Sequence, residues 1–336
     1  MFKTSKIQAL HDRKLLVIIG NGFDLDLELK TSYKDFMLSD TFKEYRKESH
    51  SQSNDPYSRL NLFDYLQDRF DGNNKRWIDI EIELRDYAKD IDLTEYDDKQ
   101  KAIDYIEHSF NQVRDALYDY LSGIDYSVLN TKSAAIELLK AIRRGRNCVI
   151  YDFNYTDIGR LLTFIRGTSS FSVHYIHGTL KDRSIVIGFE NIRLHYSHLD
   201  FMVKFKSDNY KTSTEFDIRT DLENAEEVLI FGHTLGSTDH SYFKHFFQKE
   251  TNRSKDRLTP ISIVTYNANS RRLILCEIDE MTNHNADILN INFIQTHGNT
   301  SQEEIHSFFE NLSKRISPRI NSSVLTKIKP PTIIPL

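Results

Sequence analysis

The chain has 336 residues, of which 39% are hydrophobic and 28% charged, and its formal net charge at pH 7 is -5. This composition is typical of a globular protein, and the charge gives no electrostatic footprint for nucleic acid. No apolar run approaches the roughly 20 residues that span a bilayer, and the charged N-terminus is not a secretory signal. The two cysteines, Cys148 and Cys276, lie in apolar contexts. We therefore expect buried thiols, a cytoplasmic protein and no thiolate zinc site.

Short apolar runs typical of buried strands recur along the chain, and amphipathic helical patterns follow several of them. This alternation predicts an α/β fold with a mainly parallel, Rossmann-like sheet that carries helices on both faces. The predicted strands are residues 15–19, 148–153, 173–176, 185–187, 228–231, 261–266 and 291–294.

Residues 38–145 differ from the rest because their helical periodicity is unbroken and strand signals are absent. The clearest stripe has a 3-4-3-4-4 spacing and comprises Ile103, Ile106, Phe110, Val113, Leu117 and Leu121. We therefore predict a Rossmann-like domain from residues 1–37 and 146–318, interrupted by a helical subdomain at 38–145. A proline-rich extended tail is expected at 319–336.

The first predicted strand ends in Gly20-Asn21-Gly22-Phe23-Asp24, a glycine turn that leads into a helix start marked by Ser32 and Asp35. Because glycine has no Cβ, such a turn lets the backbone pass close to a phosphate or a ribose. Leu25 stands where the dinucleotide fingerprint requires a third glycine. A plain strand-to-loop turn therefore stays open as an alternative.

Three later predicted strands also end in polar segments. These segments are Asn154-Tyr155-Thr156-Asp157, His177-Gly178, and Gly232-His233-Thr234-Leu235-Gly236, which continues to Asp239. The carboxyl ends of parallel strands share one edge of a sheet, so four such segments can line one crevice.

Together these segments resemble the bacteriophage abortive-infection AbiH family, over residues 15 to about 247. The resemblance also includes Thr31-Ser32-Tyr33-Lys34-Asp35-Phe36, and Trp77 with Asp79-Ile80-Glu81. It implies a cytoplasmic effector of anti-phage defence that responds to a phage-derived trigger. We expect Trp77, Asp79 and Glu81 to face the crevice or an interface, and the inserted helices to control activity through a homo-oligomer.

The order of the motifs is more remotely similar to sirtuin-like NAD-consuming domains. That similarity implies that His177 acts as a base, that Asn154 positions ribose or water, and that Gly20, Asn21, Gly22, Phe23 and Asp24 cradle NAD. Gly232, Thr234 and Asp239 would hold the adenosine end. The chain departs from that pattern at Asn21, where alanine is usual, at Asp24, where serine or threonine is usual, and at Thr156, where aspartate is usual.

The residue types at these positions suit cleavage of the nicotinamide–ribose bond of NAD. Such cleavage develops an oxocarbenium-like ribose. A neutral hydrogen-bonding group such as Asn154 can fix the ribose or water, and a histidine can take a proton near neutral pH. The sirtuin-like similarity implies NAD as the substrate. Nicotinamide leaves without acid help because it is cationic in NAD, so we expect no metal. A related nucleotide stays open.

Three rival interpretations also stay open. Gly232-His233-Thr234-Leu235-Gly236 mimics the nucleophile elbow of α/β-hydrolases, with His297 or His306 to complete a triad. The spacing of His195 and His198 favours a metal-dependent nuclease or phosphoesterase. A non-catalytic nucleotide-sensing module would keep the crevice and tolerate the loss of His177.

Overall fold

The computed structural model of the protein describes residues 14–50, 56–75, 78–143, 148–164, 172–190, 197–207, 212–298 and 300–316. Trp77, His195 and the predicted tail at 319–336 lie outside the described residues.

The centre of the fold is a six-stranded sheet in which every pair of neighbouring strands is parallel. Its strands are β1 (Leu15–Ile19), β2 (Cys148–Asp152), β3 (Ser172–Tyr175), β4 (Glu227–Phe231), β5 (Ile261–Thr265) and β6 (Ile291–Gln295). The spatial order is β3-β2-β1-β4-β5-β6, which is the order of the Rossmann fold. The predicted fold class is confirmed, and the point where the strand order reverses lies between β1 and β4.

Helices cover the sheet and build the inserted region. In chain order they are α1 (Asn21–Asp26), α2 (Tyr33–Leu38), α3 (Asp40–Ser49), α4 (Leu62–Gly72), α5 (Ile80–Asp90), α6 (Lys99–Ser122), α7 (Ala134–Ile142), α8 (Ile158–Phe164), α9 (Thr212–Asn224), α10 (His240–Thr251), α11 (Ala268–Met281) and α12 (Gln302–Ile316). The predicted helix start at Ser32 is present, because Ser32 accepts a hydrogen bond from the Asp35 amide. At the start of α12, Ser301 and Glu304 cap each other's amides.

Each residue of β1 is buried because helices pack on both faces of the sheet. Alternate side chains of a strand point to opposite faces. Leu15, Val17 and Ile19 accordingly pack with α1, α7, α8 and α12, whereas Leu16 and Ile18 pack with α9, α10 and α11. The unbroken apolar run that identifies β1 in the sequence therefore reflects its central place in the sheet.

The inserted helices α2 to α6 form a second core of their own. The predicted stripe on α6 is buried in this core, so the chain itself covers that face of the helix. Helix α7 falls inside the predicted insertion, yet it packs on the sheet beside α1 and α12. Among the described residues between α1 and β2 there is no strand.

The predicted strand at residues 185–187 is wrong. Ile185, Val186 and Ile187 are buried, but their backbone is an extended connection outside the sheet. The Val186 amide donates to the His177 carbonyl at 2.8 Å. Ile185 and Ile187 pack into the core of the inserted helices. The residues there are apolar because they are buried against the inserted core, and they do not form the hydrogen bonds of a strand.

The expectation of two buried thiols is half wrong. Cys148 is buried in β2, and burial raises the pKa of its thiol to about 12. Cys276 is exposed on α11. That helix buries Ile274 and Ile278, and a residue two places after Ile274 turns roughly 200° away from the buried face.

Within the described residues, no helix has the length and apolar character that crossing a membrane requires.

Candidate functional site

The glycine turn after β1 lies directly against the turn after β4. The Gly20 amide donates to the Phe231 carbonyl at 3.0 Å, and the Gly22 amide donates to the Gly232 carbonyl at 2.8 Å. A Cβ on Gly22 would lie 2.7 Å from the Gly232 Cα, and Gly232 itself has φ +65°. These glycines are therefore needed for the close approach of two backbones at the point where the strand order reverses.

Asp24 faces inward from this turn. Its side chain is buried, and the Thr156 hydroxyl lies 3.0 and 2.9 Å from its two carboxylate oxygens. Burial raises the pKa of Asp24 to about 7, although hydrogen bonds from Thr156 and Asn154 oppose the rise. Asp24 therefore stabilises the contact between the segments after β1 and β2, and it is closed to a pyrophosphate.

Asn154 joins the ends of β1 and β2. Its side-chain nitrogen donates to the Gly20 carbonyl at 3.1 Å, and its backbone amide donates to the Asp152 carboxylate at 2.9 Å. Burial raises the pKa of Asp152 well above its usual range, and nearby Asp24 adds to the rise. The Asn154 carboxamide is therefore held at a fixed place beside the glycine turn.

Five buried polar residues meet beside this turn, and we call them the lysine cluster: Glu81, His177, Lys204, His233 and Asp239. The Lys204 ammonium lies 2.9 Å from both the Glu81 and the Asp239 carboxylates. The His177 Nε2 lies 3.3 Å from that ammonium and 3.5 Å from Asp239, and the His233 Nε2 lies 3.6 Å from Asp239. Residues far apart in the sequence therefore form one charged network.

Burial and charge set the protonation of this cluster. Burial lowers the pKa of Lys204, but Asp239 and Glu81 outweigh it and hold that pKa above its usual value. Burial would raise the pKa of Asp239, yet Lys204 and His177 keep it well below its usual range. Lys204 and Asp239 are therefore an ionised pair at neutral pH.

Both histidines of the cluster are neutral at pH 7. Burial lowers the pKa of His177, the charge of Lys204 lowers it further, and Asp239 opposes them. Burial lowers the pKa of His233 to about 4. The His233 Nδ1 accepts from the Leu235 amide at 2.9 Å, so its proton is on Nε2, toward Asp239. The Phe153 ring contacts both imidazoles edge-on, with centroids 5.5 and 4.4 Å away, and fixes their orientation.

One tyrosine lies beside His177, and a second tyrosine contacts the first. The Tyr155 ring lies 6.2 Å from the His177 ring, and its hydroxyl donates to the Val186 carbonyl at 2.9 Å. Tyr33 hydrogen-bonds to Tyr155. Burial raises the pKa of both tyrosines well above the usual value, so both are neutral. Tyr155 thus supplies aromatic surface beside the histidine.

The predicted site residues are brought together only in part. Gly20, Gly22 and Gly232 touch, Phe23 packs edge-on against Phe231, and Asp24 contacts Asn154 through the bonds given above. Asn21 and Thr234 are exposed, and Asn21 accepts from the Thr31 hydroxyl at 2.6 Å. Asp239 lies beside His177. The assignment of Asp239 to the adenosine end of NAD does not fit this place, because the two ends of a dinucleotide are far apart.

The rival interpretations depend on a metal site or on a catalytic triad built from other residues. In the described part of the chain, no group of three His, Cys, Asp or Glu residues is arranged to hold a metal ion, and His198 is exposed. His297 and His306 line a separate depression of about 750 Å³ at the end of β6. There His306 pairs with Glu137 at 2.8 Å. The lining of that depression does not include Thr234, the nucleophile of the hydrolase interpretation.

Residues 16–259 match the family described as Bacteriophage abortive infection AbiH. The match covers well over half of the chain, so the chain belongs to this family. The expected resemblance to the AbiH family is confirmed, and membership indicates a function in phage abortive infection. A comparison with curated proteins gave no match.

Proposed function

From membership in the abortive-infection family, we propose that the protein is an effector that hydrolyses NAD at the nicotinamide–ribose bond. The observation that carries the proposal is the placement of Asn154 and His177. Asn154 holds the Gly20 carbonyl at the end of β1, and His177, a buried neutral imidazole, contacts Asp239 from the loop after β4. Both residues follow strands whose carboxyl ends share one edge of the sheet, and nucleotides bind at that edge in open α/β folds.

The reaction needs few groups. A water oxygen attacks the ribose C1 atom, the bond from C1 to nitrogen breaks, and its electron pair neutralises the nicotinamide. His177 takes the proton that the water loses, and Asp239, 3.5 Å away, stabilises the imidazolium. Asn154 positions the ribose or the water as the oxocarbenium character develops.

Asp24 and Thr156 are two of the positions at which the chain departs from the sirtuin-like pattern. The chain has aspartate where those domains have serine or threonine, and threonine where they have aspartate. In the structure these two side chains hydrogen-bond to each other. Each of the two buried side chains therefore has a hydrogen-bond partner.

The direct test is to incubate the purified chain with NAD and to measure free nicotinamide by chromatography. We expect turnover by the natural chain, and its loss in His177→Ala and Asn154→Ala with little change in the circular dichroism spectrum. The control is His284→Ala, which removes an exposed histidine that pairs only with Asp279. Release of nicotinamide at the natural rate by both site variants would contradict the assignment.

Two other outcomes separate the alternatives. Binding of NAD without release of nicotinamide would favour a nucleotide-sensing module. Metal-dependent cleavage of nucleic acid, with no action on NAD, would favour a nuclease that uses residues outside the described part of the chain. In infected cells we propose that a phage-derived trigger activates the cytoplasmic protein, and that a homo-oligomer keeps it silent before infection. Unchanged NAD during a successful block of phage growth would contradict the NAD mechanism.

A further inference from the structure

Glu81 carries one of the few buried polar atoms that have no hydrogen-bond partner in the described part of the chain. Its Oε2 pairs with Lys204 at 2.9 Å, whereas its Oε1 is buried and unpartnered. Buried polar atoms in native proteins are almost always hydrogen-bonded, so an exception needs an explanation. A ligand that supplies the missing partner is one such explanation.

A structural role explains Glu83 but leaves Glu81 unexplained. Both glutamates belong to α5, and both are about equally buried, at 5% and 6% exposure. Glu83 pairs with Arg69 of the neighbouring inserted helix α4 at 2.6 Å. Lys204, the partner of Glu81, already has the Asp239 carboxylate at 2.9 Å. The Glu81 carboxyl group therefore adds to the lysine cluster a buried oxygen that has no hydrogen-bond partner.

The start of α5 aims this side chain at the sheet edge. Asp79 caps the helix, and its carboxylate accepts from the Glu81 and Ile82 amides at 3.0 and 3.3 Å. Arg85, four residues after Glu81 and on the same helical face, reaches Ser237 in the loop after β4 at 3.4 Å. The face of α5 thus presents a carboxylate and then a guanidinium along the same edge of the sheet.

We propose that Glu81 Oε1 binds a ribose hydroxyl of the nucleotide substrate, so that the inserted region supplies a substrate-contacting residue. The inference rests on the proposed function. Burial raises the pKa of Glu81 to about 8, with Asp239 adding to the rise and Lys204 opposing it. A hydroxyl both donates and accepts, so it pairs with either form of the carboxyl group. A phosphate is disfavoured there by the Asp239 carboxylate, and a cation by the Lys204 ammonium.

The test measures binding of ADP-ribose, and of analogues that each lack one ribose hydroxyl, by isothermal titration calorimetry on the full chain. In the natural protein, loss of the contacted hydroxyl should weaken binding roughly tenfold, the usual size for a hydrogen bond to a charged group. In Glu81→Ala, ADP-ribose should bind roughly tenfold more weakly, and removal of the same hydroxyl should then cause no further loss. Glu83→Ala is the matched control and should keep the full tenfold effect of the hydroxyl.

Glu81→Met keeps the test valid if the alanine variant fails to fold. The methionine side chain fills a similar volume and offers neither a donor nor a strong acceptor. Removing the contacted hydroxyl should then cause no further loss of affinity. If every analogue loses the same affinity in the natural protein and in the Glu81 variants, Glu81 does not bind a hydroxyl.

Turnover of NAD, measured in parallel, separates the two proposals. Release of nicotinamide without any coupling to Glu81 would overturn the ribose contact alone. Coupling without release would leave the contact in place and overturn the reaction. Failure of the natural protein to bind ADP-ribose would overturn the ribose contact, and the turnover assay would then decide the fate of the reaction separately.

Discussion

Replacing Asp24 by asparagine should change how the stability of the protein depends on pH. The carboxyl group is buried against Thr156, and burial raises its pKa from 3.8 to about 7. Between these two values the folded protein holds a proton that the unfolded chain has lost. The stability that the protonated group provides is complete below pH 3.8, and it is lost as the pH rises toward 7. Asparagine has a similar shape and does not titrate.

The size of the effect follows from the shift. One pKa unit corresponds to about 1.4 kcal/mol, so between pH 5 and pH 8 the natural protein should lose roughly 2.5 kcal/mol relative to Asp24→Asn. The free energy of unfolding can be measured for both proteins by urea denaturation at pH 5, 6, 7 and 8. The difference between the two proteins should grow up to pH 7 and then level off.

The control for this prediction is Asp40→Asn. The Asp40 carboxylate is exposed and pairs with Lys43 on the same helix. Its replacement should give a small difference that stays nearly constant from pH 5 to pH 8. A difference for Asp24→Asn that is equally constant would refute the reasoning, because it would mean that the buried carboxylate ionises at an ordinary pKa.

Two further substitutions test the packing around the site. Lys204→Ala leaves the buried Asp239 carboxylate without its paired cation, so it should lower the free energy of unfolding by roughly 3–5 kcal/mol. Lys206→Ala breaks only a half-exposed pair and should change it by less than about 1 kcal/mol. Gly22→Ala places a Cβ 2.7 Å from the Gly232 Cα and should lower the melting temperature clearly, whereas Gly72→Ala meets nothing within 4 Å and should not. Equal effects within either pair would contradict the packing described.

The sheet could be predicted because burial on both faces leaves an unmistakable pattern. Each strand of the observed sheet coincides with a predicted apolar run, with ends that differ by at most one residue. The same signal failed at residues 185–187, because a connection buried in the inserted core shows the same apolar run as a strand. Periodicity reports burial, and it does not say which backbone hydrogen bonds form. The pattern of α7 has the same limitation. An apolar helix face has the same sequence pattern whether the helix packs on the sheet or on other helices.

The site could be predicted only where strand ends mark it. Asn154, His177 and Asp239 follow predicted strands, and the rule that carboxyl ends share an edge was sufficient to group them. Lys204 was missed, because a buried lysine has no signature in the sequence and its partners come from other segments. Glu81 did have a signal in the sequence, since it belongs to the Asp79-Ile80-Glu81 motif. The direction in which its side chain points, however, depends on how α5 packs against the sheet.

The lysine cluster makes the inserted helices part of the site. Glu81 comes from the insertion, Asp239 from the loop after β4, and Lys204 from the connection after β3 that also packs against the inserted core. The ammonium of Lys204 bonds to both carboxylates, so movement of α5 away from the sheet edge would break a buried ion pair. The same movement would remove one of the two carboxyl partners of Lys204, whose ammonium lies 3.3 Å from His177. The position of α5 and the surroundings of the proposed base are therefore linked through Lys204.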